Sequence, residues 1–405
     1  MSVTERFLQY IAIHTASDPD SETVPSSARQ KNLACLLAEE LLALGLSDAH
    51  VDENGYVYAH LPARNCDNGV RLGFISHMDT APDFCGDNVQ AQIHSNYDGS
   101  DIPLGSSGRV LTKAMFPHLA SLAGKTLITT DGTTLLGADD KAGIAEIMTM
   151  LEMLQQSDMP HPCLSIAFTP DEEIGASADH FDLDTFAADF AYTVDGSAPN
   201  DIEYENFNAA SAHWDINGVN VHPGSATDTM RNACLVAMEI NSLLPALEIP
   251  ACTEGYEGFF HLTDMTGDVE KAALDYIVRD HDADRFAGRL DTLRHIEKCI
   301  NEKYGAGTVA LTIQESYRNM AEKIRESFHL VENASAVISS LGMTPSTPPI
   351  RGGTDGSRLS FMGLPCPNLG TGGYAFHGPY EHITAEDMET CVRVITGLVT
   401  AYAKS

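Results

Sequence analysis

From Ser27 to Leu44 the apolar side chains return at Leu33, Leu36, Leu37, Leu41 and Leu44, the spacing of one helical face. Ser27 with Gln30 has the form of a capping box, and Gly45 stands where such a helix should stop. Short apolar runs of strand length follow at 72–76, 163–169 and 190–194, with a helical pattern over 141–156 between two of them. That alternation is the βαβ rhythm of a mostly parallel sheet with helices on both faces. The character changes after about Glu205. There 211–217 and 308–314 alternate like half-buried strands, 230–244 and 284–303 read as helices, and 256–262 and 267–279 add further strands. The order is βαββαβ. After about Asn319 the chain returns to helix and turn. The expected fold is α/β: a main domain in two parts, 1–206 and 319–405, interrupted by an α+β lid domain over 207–318.

Composition narrows the class. A chain of 405 residues exceeds one ordinary core, so two domains are expected. No apolar run approaches the roughly 18 residues that a membrane helix needs. The start, Met1-Ser2-Val3-Thr4-Glu5-Arg6, lacks a basic segment leading into an apolar one, so no signal peptide is expected. Nine scattered cysteines without a CxxC pair suit reduced thiols, and a cytoplasmic location is the expectation. Net charge is −33, from 57 acidic against 24 basic residues. Such a field repels nucleic acid and anionic membrane, so neither is an expected partner. A monomer and a homodimer paired through a lid edge strand are both compatible with the pattern.

The candidate chemistry sits at the ends of the strand-like runs. His77 follows the first run, Glu172 and Glu173 follow the second, and Asp195 ends the third. Open α/β sheets build their sites beyond the carboxyl ends of strands. Asp139-Asp140-Lys141 opens a helix, where a carboxylate is favourable as a cap alone. His377 lies in Gly372-Gly373-Tyr374-Ala375-Phe376-His377-Gly378, with His382 as its rival. Asp79, two residues after His77, is placed to hold that imidazole from behind. If His77, Asp139, Glu173, Asp195 and His377 are ligands, with Asp139 rather than Asp140 bridging, two Zn²⁺ meet three carboxylates and one hydroxide. The charges cancel, as a buried di-metal site requires. Co²⁺ or Mn²⁺ could substitute on the same ligands. Glu172, beside a ligand, is then free to act as general base.

Taken singly, each motif also reads as a turn, a cap or an ordinary surface histidine. Together they point to metal-assisted hydrolysis. Three more residues stand apart in the lid and beyond it. His222, in His222-Pro223-Gly224-Ser225-Ala226, could donate to an oxyanion. Arg279 and Arg351 are scarce cations suited to gripping a carboxylate, with ordinary salt bridges as the plainer alternative.

These residues, in this order, resemble the di-zinc exopeptidase family that includes tripeptide aminopeptidases, aminoacylases and glutamate-type carboxypeptidases. The likeness to the first of these is close and spans nearly the whole chain. It runs through Ile128-Thr129-Thr130-Asp131-Gly132, Leu136-Gly137-Ala138-Asp139-Asp140-Lys141-Ala142-Gly143, Glu203-Tyr204-Glu205-Asn206-Phe207, Thr253-Glu254-Gly255-Tyr256-Glu257-Gly258 and Arg351-Gly352-Gly353-Thr354-Asp355-Gly356. The resemblance implies an aminopeptidase releasing the N-terminal residue of tripeptides. It implies zinc on His77, Asp139, Glu173, Asp195 and His377, with Asp79 and Glu172 as the catalytic pair. It also implies that His222, Arg279 and Arg351 meet the peptide. Two positions depart: Thr227 replaces a lysine after the His222 motif, and Pro379-Tyr380 replaces a basic pair after His377-Gly378. Both remove positive charge and bear on strict length selection. A related dipeptidase or N-acyl amino acid deacylase is the alternative within enzymes, and a metal- or peptide-binding protein without activity the alternative outside them.

Overall fold

The computed structural model describes residues 1–404. They form two compact units. One comprises Met1–Tyr204, Glu322–Pro348 and the chain from Thr354 onward; the other comprises Glu205–Ala321 with Pro349–Gly353.

The first unit is built on a seven-stranded sheet in the order His50–Val51, Val57–Leu61, Cys163–Thr169, Arg71–His77, Phe190–Gly196, Asn368–Gly370, Ile202–Glu203. The four strands from Cys163–Thr169 to Asn368–Gly370 run parallel, and the strands outside them pair antiparallel. The parallel part is apolar on both faces because helices cover both. Along Arg71–His77 alternate side chains point opposite ways. Phe74 lies 6.2 Å from the Tyr192 ring. The Tyr192 hydroxyl in turn donates to Leu330 O at 2.8 Å, in helix His329–Ser340. On the other face Ile75 joins Phe186, Leu359 and Leu364.

The helix Ala138–Gln155 approaches the sheet very closely. A Cβ on Gly143 would lie 2.0 Å from Val194 O and 2.6 Å from Ser76 Oγ. Its first residues, Asp139 and Asp140, do not have helical backbone angles, so the regular turns begin after them. The depth at which Gly143 seats the helix therefore sets where those two carboxylates fall.

The helix expected from Ser27 begins later, at Gln30, and ends at Ala43. Gly45 follows at φ +94°, in the left-handed region that a stop of this kind uses. The capping box does not form. Ser27 Oγ donates instead to Ala16 O at 2.7 Å, and the Gln30 side chain turns to Asp171, giving an N–H to its carboxylate at 2.6 Å. Tertiary partners have taken the groups that local pairing would have used.

A second, four-stranded sheet in this unit runs Gly373–Tyr374, His382–Thr384, Leu127–Thr129, Gln92–His94. Strands of two or three residues leave no periodic trace, and the sequence pattern does not reveal them.

The second unit has the βαββαβ order. Its antiparallel sheet runs Phe259–Gly267, Lys271–Asp280, Asn208–Asn217, Val309–Tyr317. Alternation along Asn208–Asn217 sends Ala210, Ala212, Trp214 and Ile216 into a core with Val236, Ile240, Leu290 and Leu293 of helices Ala233–Ser242 and Ala283–Tyr304. Ser211, Asp215 and Asn217 on the opposite face are exposed.

Two glycine substitutions should behave oppositely. Gly143→Ala is expected to cost about 1–3 kcal/mol through overpacking against the sheet. Gly288→Ala, exposed within Ala283–Tyr304 with nothing within 4 Å of the new methyl, should stabilise by about 1 kcal/mol. Denaturant melts of both proteins check this; an undiminished midpoint in Gly143→Ala would contradict the close approach.

Candidate metal centre

Parallel strands end side by side, and that is how distant parts of the sequence meet here. His77 is the last residue of Arg71–His77, and Asp195 is next to last in the neighbouring Phe190–Gly196. Glu172 and Glu173 lie just beyond Cys163–Thr169 on the other side. Asp139 comes from the start of the close-packed helix. His377 arrives from the hairpin loop between Gly373–Tyr374 and His382–Thr384, in left-handed backbone at φ +62°. All six belong to the first unit, and five of them are the expected ligands.

The five side chains converge. Asp139 turns one oxygen to each imidazole: Oδ1 lies 2.8 Å from His77 Nε2 and Oδ2 lies 3.1 Å from His377 Nε2. Asp195 stands 3.4 Å from His77 Nε2, and Glu173 stands 3.0 Å from His377 Nε2. His77, Asp139 and Glu173 offer ligand atoms mutually within 4.8 Å, and so do His77, Asp140 and Asp195.

A tautomer argument tests whether metal fits. His77 Nδ1 donates to the Asp79 backbone carbonyl at 3.0 Å, which places the hydrogen of a neutral ring on Nδ1. The Nε2 lone pair then faces carboxylate oxygens, acceptor against acceptor. A cation between them removes the conflict. Two imidazoles and three carboxylates are a donor set for zinc, with cobalt and manganese accommodated by the same groups. The residues fit a dinuclear centre.

Electrostatics say the same thing. Burial first, and then the Asp139 charge, pushes Glu173 up to about 7. Burial raises Asp195 to about 6, although His77 opposes it. Glu172 is driven well above the usual carboxylate range by burial, against the pull of His77. Hydrogen bonds that the ring gives to Asp139 and Glu173 hold His377 protonated up to about 11.

Four buried carboxylates hold the cluster in place through backbone amides. The Asp79 carboxylate accepts the Glu172 N–H at 3.0 Å and the Glu173 N–H at 3.1 Å. Asp79 was expected behind the His77 ring; its carbonyl accepts from Nδ1, its Oδ1 lies 3.4 Å from that same nitrogen, and its carboxylate also ties the two motif loops together. Asp140 accepts the His77 N–H at 3.1 Å. Asp171 accepts from Ser26 N at 2.7 Å and from Gln30 Nε2 at 2.6 Å. Glu381 accepts three amides, from Leu136 at 2.6 Å, Gly137 at 2.8 Å and Asp139 at 3.0 Å. Sequence reasoning missed Asp171 and Glu381. Their only signal was an acidic residue adjacent to one motif and four residues beyond another.

The three remaining candidates lie in the second unit. His222 is exposed, and its Nδ1 accepts the Gly224 N–H at 3.1 Å, so a neutral ring keeps its hydrogen on Nε2 as an outward donor. Arg279 sits over the Tyr317 ring at 5.2 Å. Arg351 stacks on Phe207 at 5.1 Å and donates to Gly255 O at 2.7 Å, Glu257 O at 3.0 Å and Thr253 Oγ1 at 3.0 Å. For Arg351 to grip a carboxylate, those bonds to the 253–257 loop would have to be exchanged.

Comparison with known proteins agrees with this chemistry. The profile of peptidase family M20/M25/M40 matches residues 131–401. A peptidase T of Desulfitobacterium hafniense is 54% identical over 405 residues, covering 100% of this chain and 98% of the relative. Among solved structures, the fold is similar to an aminopeptidase PepT of Bacillus cereus, with TM-score 0.79 and 20% identity over 98% of this chain and 97% of that one. A tripeptidase of Staphylococcus aureus gives TM-score 0.78 and 21% identity over 100% and 98%. With its histidine and carboxylates gathered at strand ends, and more than half its residues in common with a peptidase T, the chain belongs to the M20/M25/M40 peptidase family, in its peptidase T branch.

Proposed function

We propose that this chain is a di-zinc aminopeptidase releasing the N-terminal residue of tripeptides. The observation that carries the reading is Asp139, shared between two imidazoles that are each flanked by one further carboxylate. His77, Asp195 and Oδ1 of Asp139 would hold one ion; His377, Glu173 and Oδ2 of Asp139 would hold the other. Bound there, the ions would supply Lewis acidity, polarising the scissile carbonyl and making water acidic enough to attack near neutral pH.

Glu172 takes the proton from the attacking water and passes it to the leaving amine. Its raised affinity for protons suits both transfers. Asp79 holds the Glu172 and Glu173 amides, so base and ligand are placed as one unit. His222 donates from Nε2 to the carbonyl oxygen as charge develops. Arg279, and Arg351 once released from its loop carbonyls, bind the peptide's terminal carboxylate. The tripeptide preference is supported by the peptidase T relatives and by the tripeptidase that shares the fold. Thr227 and Pro379-Tyr380 lower the positive charge expected for peptidase T, which favours a looser length limit. No helix among the described residues is long and apolar enough to cross a membrane, and we place the enzyme in the cytoplasm, acting on small peptides as a monomer or homodimer.

Hydrolysis of a tripeptide with a free amine, against its N-acetylated form, tests the reaction class. Zinc-loaded protein should cleave only the free form. Cleavage of the acetylated peptide would move the chain to the deacylase alternative.

Glu172→Gln should still bind two zinc ions by equilibrium dialysis while kcat falls roughly 10²–10⁴-fold, the usual loss for a missing general base. Full turnover in the metal-loaded variant would remove Glu172 from the proton transfer.

Zinc affinity should fall with pH. Metal must displace protons from His377, Glu173 and Asp195, whose metal-free values of about 11, 7 and 6 all lie above the ordinary ones. More protons therefore have to leave at pH 6 than at pH 8, and binding is weaker at the lower value. Calorimetric titration in buffers of different ionisation heat would register the release. Binding that is pH-independent and releases no protons would contradict the assignment.

A further inference from the structure

The loop carrying His377 is closed at its neck by Tyr374 and His382, partners in the hairpin of Gly373–Tyr374 with His382–Thr384. A third residue, His118 of the turn Pro117–Leu122, spans that neck from elsewhere in the chain. His118 Nε2 lies 2.8 Å from His382 Nε2, and the two rings are parallel to within 6°. The Tyr374 ring stacks on His118 with centroids 4.4 Å apart. Phe116, 5.7 Å from Tyr380 and 6.0 Å from His382, completes the aromatic group.

The sense of the histidine–histidine bond follows from its surroundings. His382 is fully buried, and its Nδ1 donates to Tyr380 O at 2.7 Å. A neutral His382 therefore presents a lone pair at Nε2, and the hydrogen between the rings belongs to His118. Burial favours the neutral form of both, pushing His382 down to about 4 and lowering His118 as well. His382, the sequence rival of His377, thus has both ring nitrogens engaged away from the metal centre.

What this bond closes is the loop 375–381. Within that loop His377 meets Asp139 and Glu173, and Glu381 grips the amides ahead of the close-packed helix. The backbone there is poor at holding its own shape, since Ala375 and His377 are both left-handed at φ +56° and +62°. Something outside the loop has to fix its ends. We infer that His118 is a positioning residue: by donating to His382 it pins the neck of loop 375–381 and so aims the His377 imidazole at the metal that it would hold. The inference rests on the reading of His377 as a ligand.

The test compares zinc affinity, by competition with a chromophoric chelator, in His118→Phe, His118→Gln and His377→Ala. Phenylalanine keeps the stacking and loses the donor; glutamine keeps an amide donor at similar reach. The expected result is roughly tenfold weaker binding of one of the two ions in His118→Phe, the scale seen when support behind a ligand is lost. Near-normal binding is expected in His118→Gln, with unchanged melting of both metal-free proteins. Wild-type affinity in His118→Phe, alongside weakened binding in His377→Ala, overturns the inference and leaves the ligand reading standing. Undiminished binding in His377→Ala overturns the ligand reading itself, and the inference with it. If His118→Phe does not fold, His382→Asn removes the acceptor while keeping a donor for Tyr380 O, and the same weakening of one site is required of it.

Discussion

The structure is organised around a conflict of like groups. Three carboxylates and two imidazole Nε2 atoms are directed at one small volume, and the carboxylates would be costly to bury without a cation. Left free, such groups would turn to water or to one another's protons. They are held by a shell of amide donors: Asp79 on the Glu172 and Glu173 amides, Asp140 on the His77 amide, Glu381 on the Leu136, Gly137 and Asp139 amides where the helix starts. A carboxylate that accepts several backbone N–H groups makes strong, directional bonds that do not depend on side-chain entropy. The acidic residues of this unit thus divide into two populations. Asp139, Glu173 and Asp195 face the centre; Asp79, Asp140 and Glu381 lie behind it and hold backbone amides of the loops that carry them.

The sheet makes this possible at modest cost. Three parallel strands finish level with each other, so His77, Asp195 and the Glu172–Glu173 turn reach one edge without a long loop. Parallel order requires a crossover helix, and here that helix also delivers Asp139. Its seating is governed by Gly143, whose missing side chain lets the helix axis drop toward Val194 and Ser76. Fold and site share the same contact, which is why a change in packing there should be felt in the chemistry.

Much of this was legible in the chain. Runs over 163–169 and 190–194 fall on strands Cys163–Thr169 and Phe190–Gly196, and the lid pattern falls on the βαββαβ unit, because each has either continuous apolarity or clean alternation. The capping box at Ser27 and Gln30 was misread for a physical reason. Local pairing and tertiary pairing drew on the same side chains, and Asp171 outcompeted the helix end. The hairpin that carries His377 and the strand Leu127–Thr129 beside it were invisible, since three-residue strands have no period. Glu381 and His118 were invisible too. Their importance lies in whom they touch across the fold, and spacing along the chain does not encode that.

The same consideration explains how near-identical neighbours come to differ. Asp139 and Asp140 are adjacent and acidic, yet Asp140 already accepts the His77 amide, while Asp139 keeps an oxygen for each imidazole. His377 and His382 lie five residues apart, yet His382 donates to Tyr380 and accepts from His118, whereas His377 meets only carboxylates through Nε2. In the histidine pair the residue with both ring nitrogens engaged serves the scaffold, and the one whose Nε2 meets carboxylates alone faces the candidate centre. An unmet group in a well-packed protein is expensive to keep. Its persistence is therefore a better guide to where a ligand belongs than residue type or spacing alone.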